Sequence, residues 1–131
     1  MCLGVTSNTD SNTIDDYEEG LHSPTITPDS GSVSLNASHT KVSYVKIGDY
    51  VTVNGHLVIA SSSSATGRLL VSLPFTPADL DLTAGRGALP IVVTGTGSNV
   101  NNFCAFYGEG VAAIDIRKAN ETAYLAHLQM N

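Results

Sequence analysis

Between Ser43 and Ala60 the chain reads SYVKIGDYVTVNGHLVIA, with apolar positions alternating with polar ones. Alternation of period two marks a half-buried strand, because successive side chains point to opposite faces of a sheet. Two turn signals interrupt the run, Gly48-Asp49 and Asn54-Gly55, and both cannot be tight hairpins. Asn-Gly is ordinarily the stronger two-residue hairpin signal. A turn there pairs Val53 with His56 and Val51 with Val58, and strands Leu57 and Ile59 on the opposite face. A turn at Gly48-Asp49 instead pairs Val51 with Lys46 and Val53 with Tyr44, and puts Val42 on the same face. If the second strand then runs straight through, Leu57 and Ile59 join Val51 and Val53, with Gly55 in line as a strand glycine or bulge. Phase therefore predicts a hairpin of 40–47 and 50–60, with the Asn54-Gly55 hairpin as the alternative.

The rest of the chain is punctuated at short intervals. Residues 1–15 are rich in Ser, Thr, Asn and Asp and read as flexible or ordered by neighbouring chains. In 16–28, Pro24 and Pro28 exclude a helix and favour an extended edge. Asp29-Ser30-Gly31 reads as a turn cluster before the alternating SVSLN of 32–36. SSSSATG at 61–67 reads as a loop, and RLLVSL at 68–73 as an apolar strand that stops at Pro74. TPADLDLTAGR at 76–86 is either a helical turn or a plain loop. ALPIVVTG at 88–95 reads as a strand, GSNVNN at 97–102 as a polar loop, and FCAFY and GVAAIDIR (110–117) as further strands. TAYLAHLQ at 122–129 is placed as a last strand, although its Ala and Leu content also suits a helix. Seven to nine strands at roughly ten-residue intervals predict an all-β, antiparallel sandwich or jelly-roll-like domain.

Composition agrees with that class. The 131 residues are 42% hydrophobic but only 14% charged, with 12 glycines and no Trp. A chain of this length makes one domain and buries roughly two-thirds of its unfolded surface. No stretch approaches the roughly 20 apolar residues of a membrane span, and the N-terminus lacks a basic, then apolar, signal sequence. The charge is lopsided: residues 1–40 carry six acids and no Lys or Arg, and the net charge is −6. Nucleic-acid binding needs a basic stripe, so that class is disfavoured. Cys2 and Cys104 are the only cysteines, too few for a disulfide framework, and Cys104 in NFCAFY reads as a small buried hydrophobe.

Three segments taken together resemble the distal, C-terminal part of phage tail fibres and tailspikes. They are IDDYEEG at 14–20 followed by PTITPDSGSV, YVKIGDYVTVNGHLVI at 44–59, and LPFTP at 73–77. In that family an acidic DYEEG leader follows the fibre shaft, and a Y-x-K-I-G-N hairpin, a V-x-V-x-G strand and a G-L-P-F-T strand end come after it. Leu21-His22 stands where members commonly carry Thr-Trp, and Asp49 where Asn is commoner. Residues 78–131 show no such likeness. The resemblance implies an acidic leader or shaft end over 1–20 and a β-sandwich tip over 21–131, assembled as a homotrimer. The chain would then be a cut-down piece of a longer fibre protein or a separately translated tip.

Few constellations carry chemistry. His22, His39, His56 and His127 show no ligand spacing, so a metal would need them to converge in space. Asp79-Leu80-Asp81 puts two carboxylates on one face, short of the usual calcium ligand count. Paired carboxylates for glycoside hydrolysis are not identifiable, and the chain is too short for the long β-helix of tailspike depolymerases. Gly85-Arg86-Gly87 lacks the context of a phosphate loop, and the two N-glycosylation sequons at Asn36 and Asn120 are, in a phage or cytosolic protein, chance matches. The candidate ligand residues are Asn99, Asn101, Asn102 and Tyr107, since sugars stack on aromatics while amides satisfy their hydroxyls. The plainer alternative is an ordinary Asn turn with Tyr107 in the core. The expectation is thus a non-enzymatic virion protein without cofactor or metal, made in the host cytoplasm, that attaches to a host-surface glycan or protein. The alternatives are a trimerisation and folding module that binds nothing, and a carbohydrate-binding accessory domain of an enzyme.

Overall fold

The computed structural model describes residues 16–94 and 103–118. They form an all-β domain of eight strands in two antiparallel sheets, with no α-helix among the described residues. The strands are β1 (Tyr17–His22), β2 (Ile26–Leu35), β3 (Val42–Ile47), β4 (Tyr50–Gly55), β5 (Ile59–Ser72), β6 (Gly87–Leu89), β7 (Phe103–Tyr107) and β8 (Ala113–Lys118). One sheet has the order β1-β3-β4 and the other β2-β5-β8-β7-β6.

The β3–β4 hairpin turns at Gly48-Asp49, with Ile47 opposite Tyr50, Lys46 opposite Val51 and Tyr44 opposite Val53. Gly48 has φ +57 and Asp49 is not in the left-handed region. Positive φ at the first central position alone is the type II′ pattern, whose twist suits paired strands and which wants Gly first. The predicted register holds, but the strand does not run on to residue 60. β4 stops at Gly55, His56–Val58 form a link, and Ile59 begins β5 in the other sheet, exposed. The matching phase of Leu57 and Ile59 did not extend the strand because Val42 and Gly55 end the hairpin ladder.

One face of the five-stranded sheet is lined almost wholly by apolar side chains, while Leu70 and Phe106 stand beside Asp115 on the other. Successive pairings align Pro28, Leu69, Ile116, Ala105 and Leu89 in one row across all five strands. The neighbouring row is Ile26, Val71, Ile114, Tyr107 and Gly87. Val71 and Ala105, the latter 1% exposed, are the buried points of this face. Residues one step along point the other way, which places Asp115 and Arg117 on the outer face.

Four expectations need correction. Asp29-Ser30-Gly31 is not a turn between elements but an irregularity inside β2, with register shifts from Pro28 to Ser30 and from Ser30 to Ser32. The serine-rich 61–67 is not a loop; it is part of the 14-residue β5 and pairs with β2. Serine has little strand preference, and pairing with Ser32–Ser34 overrides it, as the 2.7 Å bond between the Ser34 and Ser61 hydroxyls illustrates. Over its described residues, to 94, the expected 88–95 strand shrinks to Gly87–Leu89, since Pro90 has no N–H to continue the ladder. Cys104 is half-buried rather than buried, its Sγ 3.6 Å from the Arg117 carbonyl. Residues 76–86 contain a short 3₁₀ turn at Asp81–Thr83. The expected strand at 122–129 and the loop at 97–102 lie outside the described residues.

The sheets are tied where β1 passes to β2. The Thr25 N–H donates to Ser72 Oγ at 2.9 Å, and the Ser72 N–H to the Thr25 carbonyl at 3.0 Å. The His22 ring nitrogen lies 3.2 Å from the same hydroxyl, and Phe75 meets Tyr44 edge-on with centroids 5.1 Å apart.

Candidate functional site

The outer face of the five-stranded sheet carries a network of four charges drawn from three strands. Asp29 comes from the irregular stretch of β2, Arg68 from β5, and Asp115 and Arg117 from alternate positions of β8. Arg68 and Arg117 would face each other in the continued β5–β8 register, a like-charge pairing that needs anions between them. The acids supply these. Arg68 Nε donates to Asp29 Oδ1 at 2.8 Å and its Nη1 to Asp115 Oδ2 at 3.3 Å, while Arg117 Nη2 donates to Asp115 Oδ2 at 2.5 Å. Asp29 also accepts the Arg68 backbone N–H at 3.0 Å. Gly67 makes room for it: φ there is +85, and a Cβ would sit 2.5 Å from Asp29 Oδ2.

The electrostatics keep this network ionised. Hydrogen bonding to Arg68 holds Asp29 below the usual carboxylate range, and hydrogen bonding to Arg117 does the same for Asp115, against a smaller opposing effect of burial. Both guanidinium groups are raised in turn. The groove bordered by Asp29, Gly67, Arg68 and Arg117 is open and about 540 Å³ in volume. Its donors and acceptors are fixed by one another, a polar complement for hydroxyl-rich ligands rather than a proton donor. Glycoside hydrolysis asks for one carboxyl held protonated, and these two are pushed the other way. The sequence held a weak signal for this groove: the Asp-Ile-Arg alternation of 115–117. The contribution of Asp29 was hidden, since its residues read as a turn.

Of the sequence-predicted ligand residues, Asn99, Asn101 and Asn102 lie outside the described residues. Tyr107 is half-buried in the apolar row, its ring across Gly87, where a Cβ would lie 2.4 Å from the tyrosine oxygen. The structure does not bring Tyr107 to the charged groove, because β7 turns Phe106 and Cys104, not Tyr107, to the outer face. His39 and His56 do approach, with ring centroids 5.3 Å apart, since both lie just past the open end of the β3–β4 hairpin. Among the described residues no three His, Cys, Asp or Glu side chains gather as a metal site. Comparison with protein-family models, curated proteins and solved structures returns no match.

Proposed function

We propose that the chain is the distal domain of a phage tail fibre or tailspike, a homotrimeric β-sandwich tip that attaches the virion to a host-surface glycan or protein without catalysing a reaction. The observation that carries the binding half of this reading is the groove bordered by Asp29, Arg68 and Arg117, whose ionised groups, fixed by one another and by Asp115, suit hydroxyl recognition. The fibre half is supported by the hairpin at Gly48-Asp49, which falls where the resemblance requires it. Asn99, Asn101, Asn102 and Tyr107 are a second candidate contact for the same ligand. Three such sites on one tip gain avidity without any new contact.

A glycan array and binding to host cells test this reading. Signal above background that falls with Arg68→Gln, or with Tyr107→Phe, locates the ligand in the groove or beside β7. No binding to any glycan or cell leaves a second reading, a trimerisation and folding module. The thin core favours that reading too: among the described residues only Pro24, Val42, Val71 and Ala105 are buried.

A further inference from the structure

Two of the links that carry the chain between its sheets run side by side, and each holds a histidine. The link from β2 to β3, residues 36–41, holds His39, and the link from β4 to β5, His56–Val58, begins with His56. Both links are pinned on either side of these residues. The last rung of the β3–β4 ladder pairs Val42 with Gly55, and the Asn36 N–H donates to the Val58 carbonyl at 2.8 Å. Between those two fixtures the rings of His39 and His56 meet edge-on, their planes 71° apart, and both residues are exposed.

A third side chain sets the proton on one ring. Asn36 Oδ1 accepts the Ser38 backbone N–H at 3.0 Å, which fixes that atom as the oxygen. It lies 3.5 Å from His39 Nδ1, and an amide oxygen can only accept. Nδ1 is therefore the protonated nitrogen of neutral His39, and Nε2 carries the free lone pair. Metal-binding imidazoles are ordinarily held this way, with one ring N–H on an oxygen and the other nitrogen on the ion.

We propose that His39 and His56 chelate a Zn²⁺ ion, with water completing its coordination. The separation of the rings decides the kind of ion. With metal–nitrogen bonds of about 2.0–2.1 Å, each ring centroid lies about 3.2 Å from the metal, so two imidazoles stand about 5.2 Å apart at a tetrahedral angle and about 4.5 Å apart at a right angle. The observed 5.3 Å matches the tetrahedral value. Tetrahedral sites suit Zn²⁺, whereas tetragonal nitrogen and oxygen sites suit Cu²⁺ and Ni²⁺. Two protein ligands fall short of the four of a structural zinc, so the ion is exchangeable and the fold does not depend on it. Once bound, it clips the two links together and favours the folded chain by mass action. The pair shares no residue with the charged groove, so it stands or falls independently of the attachment reading.

The test is calorimetric titration of Zn²⁺ into the untagged full chain, with Cys2 and Cys104 replaced by Ser so that thiolates do not compete. One ion should bind per chain. His39→Gln and His56→Gln should each weaken binding by about tenfold or more, and the double variant no further than either, because a chelate is lost with its first ligand. Both positions are exposed, so the fold is retained, which far-UV circular dichroism checks. In proton–nitrogen correlation spectra of the imidazoles, Zn²⁺ should shift Nε2 of His39 and the ring of His56, while Nδ1 of His39 keeps its proton. No uptake of Zn²⁺ at millimolar concentration would mean that the rings are packed edge to face and nothing more, and overturns the inference. Binding of wild-type strength in either single variant overturns it too, as do shifts confined to His22 or His127.

Discussion

Replacing Gly55 by alanine tests the hairpin where it is tightest. Gly55 lies opposite Val42, and a Cβ built on it falls 2.3 Å from Val42 Cγ1, 2.8 Å from its Cβ and 3.0 Å from its Cα. Val42 is 9% exposed and hemmed in, so the new methyl cannot be accommodated by a side-chain swing alone. Overpacking of this kind costs about 1–3 kcal/mol. Alanine recovers about 0.5–1 kcal/mol by restricting the backbone. Gly55→Ala should therefore destabilise by about 1–2 kcal/mol net. Val42→Ala alone loses two buried methylene equivalents, about 2 kcal/mol with its cavity. In the double variant the Cγ1 clash is gone, so the combined loss should fall short of the sum by about 1 kcal/mol. Urea denaturation at one fixed chain concentration, followed by circular dichroism, reads all four corners of the cycle. Additive losses, or a neutral Gly55→Ala, would refute the packing of Val42 over Gly55.

Other consequences are as direct. Gly48→Ala meets no atom within 4 Å and so isolates the cost of φ +57, about 1–2 kcal/mol; Gly48→Asn should cost less, by the same denaturation assay. Carbon-detected NMR should show Asp115 titrating below the ordinary aspartate value of 3.8, and Arg117→Leu should move it back up. Because Asp29 and Asp115 are depressed in the fold, their contribution to stability is complete above 3.8 and is lost as pH falls through their folded values. Arg68→Gln should flatten that acid limb of the stability curve, and an unchanged limb would show that the network does not act as drawn.

What was legible in the sequence was whatever a two-residue period controls. Tyr44, Val51 and Val53 set the phase of β3 and β4, and Pro74 marked the end of β5 to within two residues. The serine tract was not legible, because its strand comes from partners 27 to 36 residues away rather than from its own side chains. The same reason hid the charged groove. Asp29 joins Arg68 and Asp115 only after β2 and β8 flank β5, a neighbour relation that no local pattern encodes.

The mass of the particle in solution is the most direct test of the account, since a trimer underlies the attachment reading. Light scattering on the chain at micromolar concentration should give three times the 13.6 kDa chain mass. A folded particle of one chain mass would contradict it.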